Sequence, residues 1–410
     1  MISVFERQED ILKLIERLDI SPTMYINAEE KYHALSSFLE DCGIEAEIYP
    51  QGSFAFGTVV RPSAKDPNAA YDLDFVCQLK VTRDQISPSE LRHKIEYALK
   101  SSDLYSGKLH IWEECFTIEY ADINGISFAI DIVPASAESL LRKEELKLKS
   151  SRPDLLDTAI AIPCHIGKHN YCWITNNPRG FQKWFEEINQ QFFEYNRESR
   201  RQSLYKANSL VFASVDDIPV GLERSSLQRV IQILKYHRDV YYTNLPREDS
   251  SELKPISAII NTVVAQIAKS APPHSSVFDL LDYVLKELAI YARYQKMNYI
   301  QFNKEYNGRS VITKSKTENR WIIQNPADPE DNLADKWNEN ADIPKYFFLW
   351  ISACETDLII SMGLSDSQFR TNIENAFGVS TVQNNWGDKY KSTVRATPQS
   401  ISTSPKPYMP

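Results

Sequence analysis

No stretch of this 410-residue chain approaches the ~20 consecutive apolar residues that a membrane-crossing helix requires. The first ten residues, Met1 to Asp10, contain no basic segment leading into an apolar one, so we expect no signal peptide and a cytoplasmic protein. Positive charge is also in short supply, with 46 Lys and Arg against 55 Asp and Glu and a net charge of −9. Proteins that grip a polynucleotide usually present a basic surface, so long nucleic acid is not an expected partner. The six cysteines (42, 77, 115, 164, 172 and 354) are scattered, which excludes a disulfide framework and suggests reduced, mostly buried thiols. Cys164, His165, His169 and Cys172 fall within nine residues, but structural zinc usually joins two ligand pairs across a longer loop. We therefore read this cluster as a surface strand or turn. There is no internal repeat.

Two short segments carry the chemistry. The first is Gln51-Gly52-Ser53-Phe54-Ala55-Phe56-Gly57-Thr58, followed by Tyr71-Asp72-Leu73-Asp74-Phe75-Val76-Cys77. The second is Phe128-Ala129-Ile130-Asp131-Ile132-Val133-Pro134. Side chains alternate faces along a strand, so Asp72 and Asp74 are expected on one face, with Leu73, Phe75 and Cys77 on the packed side. Two carboxylates this close repel each other, and Asp131 lies in a run that reads as a well-covered strand. A divalent cation relieves both penalties. Mg²⁺ takes oxygen ligands from one or two carboxylates plus substrate phosphates. Gly52 and Ser53 lack bulk, so the turn that they form with Gln51 allows phosphate oxygens to approach closely. Taken singly, a Gly-Ser pair is most simply a turn, and Asp-x-Asp a solvated strand end. An Asp in an apolar strand is as readily a hydrogen-bonded buried carboxylate. All three in order, each in its proper surroundings, indicate two metal ions and a nucleoside triphosphate. The acidic overall charge suits mononucleotides that arrive with Mg²⁺.

Gly52-Ser53, Asp72-x-Asp74 and Asp131 in series resemble the polymerase-β-like nucleotidyltransferase superfamily. The segments Gly52–Pro62, Asn177-Pro178-Arg179-Gly180-Phe181-x-x-Trp184-Phe185, Leu227–Asp239 and Asn325–Trp337 resemble, more narrowly, the bacterial CD-NTases, which are related to cyclic GMP-AMP synthase and oligoadenylate synthetase. The resemblance spans about residues 25–375. It implies an α+β, bilobed fold with the active site in a cleft between a mixed-sheet core and a mainly helical lobe. It also implies synthesis of a cyclic di- or trinucleotide from ATP and other NTPs, for anti-phage (CBASS) signalling. By the same resemblance Ser53 contacts phosphate, and Asp72, Asp74 and Asp131 hold Mg²⁺ (or Mn²⁺). Lys235 and Ser257 grip the donor triphosphate. By analogy alone, a HORMA-like protein is an activating partner. Two rivals stay open: a nucleotidyltransferase that does not cyclise, and a nucleotide-sensing scaffold with a vestigial site.

The expected layout is a nucleotidyltransferase core with N-terminal helices at 1–178, a helical lobe at 179–379 and a flexible tail at 380–410. Helical spacing marks 5–18, 28–42, 179–195, 223–240, 255–270, 276–290, 343–361 and 366–376. Ser87-Pro88-Ser89-Glu90 reads as a helix start, and Asn124-Gly125 as a hairpin joining strands 110–120 and 126–133. Pieces at 299–303 and 319–324 look strand-like, and Arg197 to Lys206 looks like a solvated stretch.

Overall fold

The computed structural model describes residues 2–61, 70–120, 127–167, 170–195 and 197–391, and the side chains of 70, 72, 127 and 128 lie outside that description. The stretch 62–69, whose Pro, Asp and Asn content suits a loop, falls outside it. So do the expected Asn124-Gly125 turn, His169 and residues 392–410.

Helices α1 (Val4–Leu18) and α2 (Pro22–Asp41) open the chain. Strand β1 (Ala46–Pro50), the single-turn helix α3 (Gly52–Ala55) and β2 (Ala70–Thr82) follow. Helix α4 (Pro88–Ser101) starts at Ser87, whose side chain and that of Glu90 cap each other's backbone amides. Then come β3 (Leu109–Ile111), β4 (Phe116–Tyr120), β5 (Ser127–Ala137), α5 (Leu140–Lys149), β6 (Ile160–His165) and β7 (Tyr171–Asn176). Among the described residues these seven strands form one mixed sheet. Its central pair, β2 and β5, is parallel, and the other pairings are antiparallel. One face packs on α2 and α4 through Leu35, Leu39, Leu73, Phe75, Leu91, Ile95, Phe116 and Ile130, all buried.

The second half is helical: α6 (Pro178–Phe193), α7 (Arg197–Ala207), α8 (Ser226–Asn244), α9 (Ser250–Leu253), α10 (Ser257–Ala268), α11 (Val277–Tyr291) and α12 (Tyr299–Glu305). The two-residue strands β8 (Thr313–Lys314) and β9 (Trp321–Ile322) pair antiparallel. Helices α13 (Asp335–Glu339), α14 (Asp342–Leu358), α15 (Asp366–Phe377) and α16 (Val379–Trp386) complete it. No helix of the described residues is long and apolar enough to cross a membrane.

Four departures from the sequence pattern have physical causes. The strand-like piece at 299–303 is α12, because Asn298 caps it and Gln301 returns the bond to the Asn298 amide. The polar stretch at 197–206 has no buried residue, in line with a solvated stretch, but it is helical: α7 is held in place by Arg197 and Arg201 on the buried Glu223 carboxylate. The expected tail from 380 is helical to Trp386. Tyr390 beyond it is buried, and its hydroxyl donates to Asp10 while Arg370 donates to the carbonyls of Gly387 and Lys389. Finally, α1 packs with the helical half rather than with the sheet that follows it: Ile11, Leu14, Ile15 and Leu18 share one apolar cluster with α8 and α14.

Candidate functional site

The sheet places two of the three predicted carboxylates side by side. In the parallel β2–β5 pair, Asp74 is in register with Asp131, and both line one cleft of about 1060 Å³ between the sheet half and the helical half. The Asp72 backbone pairs two residues earlier, with Ala129, and its side chain is outside the described set. Gln51, Gly52 and Ser53 line the same wall. The turn that carries them is fastened to β2 by the Gln51 amide, which donates to the Asp74 carbonyl at 2.8 Å. Gly52 has a φ of +59°, and a Cβ there would run into the Asp74 carboxylate. Glycine is thus required twice over, by backbone conformation and by the closeness of the acid.

Asp131 is half-buried, and burial pushes its carboxyl pKa up, opposed by a hydrogen bond from Thr117. Thr117 Oγ1 lies 2.5 Å from Asp131 Oδ1 and in register with it on β4. A carboxylate under that pressure has a use for a nearby cation.

The opposite wall comes from α8 and the start of α10. Lys235, Arg238, Lys254 and Ser257 line it, with Lys336 at the rim. Lys235 is 5% exposed, and its ammonium donates to the Thr58 carbonyl at 3.0 Å. On the same helix, Gln228 Nε2 donates to the Phe56 carbonyl and Gln232 Nε2 to the Val59 carbonyl, each at 2.8 Å. Three side chains at helical spacing on α8 therefore hold the loop that follows the Gly-Ser turn. Ser257 Oγ accepts from Arg238 Nη1 at 3.2 Å, and Arg238 also pairs with Asp239.

The rim is built by two of the motifs noted in the sequence. Asn177 caps α6 by accepting from the Gly180 amide at 3.0 Å, while its Nδ2 donates to the Leu155 and Ala327 carbonyls. A Cβ on Gly180 would collide with that amide group. Ala327 belongs to the loop 325–335, which Asn325 closes by accepting from the Ala327 amide and donating to Asp331. Asp328 in this loop is buried, and burial pushes its pKa up to about 6. The folded state therefore holds the Asp328 proton more tightly than the unfolded chain, where a carboxyl titrates at about 4. That contribution to stability is full below about pH 4 and is lost as pH rises through about 6. Asp328→Asn keeps the acceptor for the Glu330 amide. We expect it to melt about 2 °C above the wild type at pH 7, with the gap closing by pH 4, as measured by thermal unfolding.

All predicted site residues whose side chains are described thus converge on one cleft. Arg238, Lys254 and Lys336 were missed, although Arg238 lies three residues after Lys235 and so on the same side of α8. Thr117 was also missed; its signal is a hydroxyl between the apolar Phe116 and Ile118 of β4. The Cys164–Cys172 cluster is a β6–β7 hairpin in which the two cysteines face each other in register, and His165 sits 3.5 Å from Glu113. Among the described residues no group of three or more His, Cys, Asp or Glu is arranged to hold a metal by itself, so Asp74 and Asp131 would need further ligands from outside that set.

Residues 46–133, which run from β1 through the Asp131 strand, match the family described as the nucleotidyltransferase domain of cyclic GMP-AMP synthase DncV-like proteins. A c-di-GMP synthase of Roseivirga ehrenbergii is 23% identical over 350 residues, which cover 84% of this chain and 77% of that protein. The fold is similar to that of the Bradyrhizobium diazoefficiens CD-NTase CdnG, solved with GTP, with a TM-score of 0.64, 19% identity and coverage of 93% of this chain and 98% of that one. It is also similar to CdnC of Escherichia coli MS115-1, solved with HORMA-deltaN, with a TM-score of 0.56, 13% identity and coverage of 91% and 97%.

Proposed function

We propose that the chain is a member of the CD-NTase family and that it joins nucleoside triphosphates into a cyclic oligonucleotide, releasing pyrophosphate at each bond formed. The observation that carries this reading is the in-register pair Asp74 and Asp131, facing Lys235, Arg238 and Ser257 across a cleft with room for nucleotides. One wall is acidic and oxygen-rich, and the other supplies cations and hydroxyl groups.

The acidic wall fits a hard divalent cation, Mg²⁺ or Mn²⁺. Its donors are carboxylate oxygens, Asp131 is an acid penalised by burial, and the absence of a Cβ at Gly52 makes room for the Asp74 carboxylate. Asp74 and Asp131, with Asp72 from the same strand, would hold the ions. When bound, such ions offset triphosphate charge and make an attacking hydroxyl more acidic. The protein's own part is positioning, as phosphoryl transfer generally demands. Gln51, Gly52 and Ser53 receive phosphate oxygens. Lys235 and Arg238 lie where a donor triphosphate needs positive charge, and Ser257 contributes a hydroxyl. In this reading Asp131 would be the carboxylate nearest the acceptor hydroxyl and its proton.

CdnC forms a complex with HORMA-deltaN, and an activating HORMA-type protein is part of this proposal for the present chain, as is a role in anti-phage signalling. The test is incubation with all four NTPs and Mg²⁺, then phosphatase treatment and mass spectrometry. A phosphatase-resistant product two or three nucleotides in mass supports the proposal. Products that lose terminal phosphates would move the assignment to a non-cyclising nucleotidyltransferase. An absence of metal-dependent turnover, with and without a candidate activator, would leave only the scaffold reading.

A further inference from the structure

Trp112 sits in the turn between β3 and β4 and is 59% exposed, so its indole is not there to fill a core. The turn is nonetheless pinned. The Trp112 amide donates to the Cys115 carbonyl at 3.1 Å, and the buried Arg92 of α4 donates to the Trp112 carbonyl. The Arg92 guanidinium also lies over the Phe116 ring, 4.6 Å from its centroid. What the pinning achieves is a short chain of hydrogen bonds. Trp112 Nε1 lies 2.9 Å from Thr117 Oγ1, and Thr117 Oγ1 lies 2.5 Å from Asp131 Oδ1.

The direction of that chain is fixed by chemistry. An indole N–H only donates, so Thr117 must accept from it. The hydroxyl proton of Thr117 is then committed to its other neighbour, the ionised Asp131, which only accepts. A carboxylate tied at Oδ1 in this way is fixed in rotation, and Oδ2 is presented in one direction. Groups that orient a metal-binding side chain from behind act as strongly on affinity as many ligands do.

We infer that Thr117, aimed by Trp112, is a positioning residue that sets how Asp131 presents itself to a divalent cation. This rests on the nucleotidyltransferase reading of the cleft. The test uses the full chain without nucleotide, with Mn²⁺ as the probe and its binding followed by calorimetry. Thr117→Val, which keeps the shape and loses the donor, is expected to weaken Mn²⁺ binding about tenfold. Thr117→Ser should restore it to near the wild-type value. Trp112→Phe should weaken it roughly threefold, the worth of one ordinary hydrogen bond. In turnover, kcat should fall in Thr117→Val while the KM for NTP stays put, because the Lys235 wall is untouched. Equal Mn²⁺ affinity for wild type and Thr117→Val, with Asp131→Asn clearly weaker, would overturn the inference and spare the reading of the cleft. Equal affinity for wild type and Asp131→Asn would bring down that reading itself. If Thr117→Val melts before it can be measured, the exposed Trp112→Phe decides alone: a threefold loss upholds the inference, and unchanged affinity ends it.

Discussion

Asp74→Asn is expected to leave the protein folded and to lower product formation by about a thousand-fold or more. The substitution removes one negative charge and preserves size. Asp74 lines the cleft rather than the apolar face of the sheet, and its backbone partners, the Gln51 amide and the in-register Asp131 of β5, are unchanged. What is lost is the charge that opposes a divalent ion, and such ions supply several kcal/mol of transition-state stabilisation, with each 1.36 kcal/mol worth a factor of ten in rate. Asp72→Asn combined with Asp74→Asn should abolish turnover. The check is product yield by mass spectrometry beside an unchanged melting temperature. Retained turnover in the double variant would sink the metal-site assignment.

Gly52→Ala is expected to lower kcat about a hundredfold while changing stability much less. Two costs meet at this residue. An alanine at a φ of +59° is strained by roughly 1–2 kcal/mol, and its Cβ would occupy the space of the Asp74 carboxylate. The side chain has a rotamer to yield and the turn has little freedom, because the Gln51 amide and three donors from α8 hold it on both sides. Asp74 therefore moves, and displacing a reacting group by about 1 Å can cost two orders of magnitude. Gly43 is the natural control. It also has a positive φ, +74°, but a Cβ there meets nothing within 4 Å. Gly43→Ala should carry the strain and leave kcat alone. Equal activity losses in the two variants would show that strain, not crowding of Asp74, is responsible.

The central strands and most long helices were legible because their cues are local: alternation in β2, the Ser87–Glu90 cap of α4, and periodic apolar residues in α8 and α14, whereas the expected strand 110–120 is two strands, β3 and β4, and the β6–β7 hairpin was read only as a surface strand or turn. The carboxylate pairing was legible for the same reason, since Asp74 and Asp131 each announce themselves as acids in apolar strands. What was not legible depends on contacts distant in sequence. Nothing in Val4–Leu18 says which half its apolar face will join, and Tyr390 is buried only because Asp10 and Arg370 are present to receive that segment. On α8 Gln228, Gln232 and His237 are polar, yet all three are buried, as are the apolar Leu227, Val230, Ile231 and Leu234. The helix runs through the middle of the molecule, so its polar positions meet backbone carbonyls and other side chains instead of water.

That arrangement on α8 has an effect over evolutionary time. Gln228, Gln232 and Lys235 bond to main-chain oxygens of residues 56, 58 and 59, which every amino acid supplies. These three bonds alone ask nothing of the side chains at 56, 58 and 59, which are constrained instead by their own burial, Phe56 and Val59 in the apolar clusters of the two halves. The three donors on α8 have no such latitude. For the polar part of the joint between the two halves, mutational pressure should therefore fall on the helix, and for the apolar part on both sides.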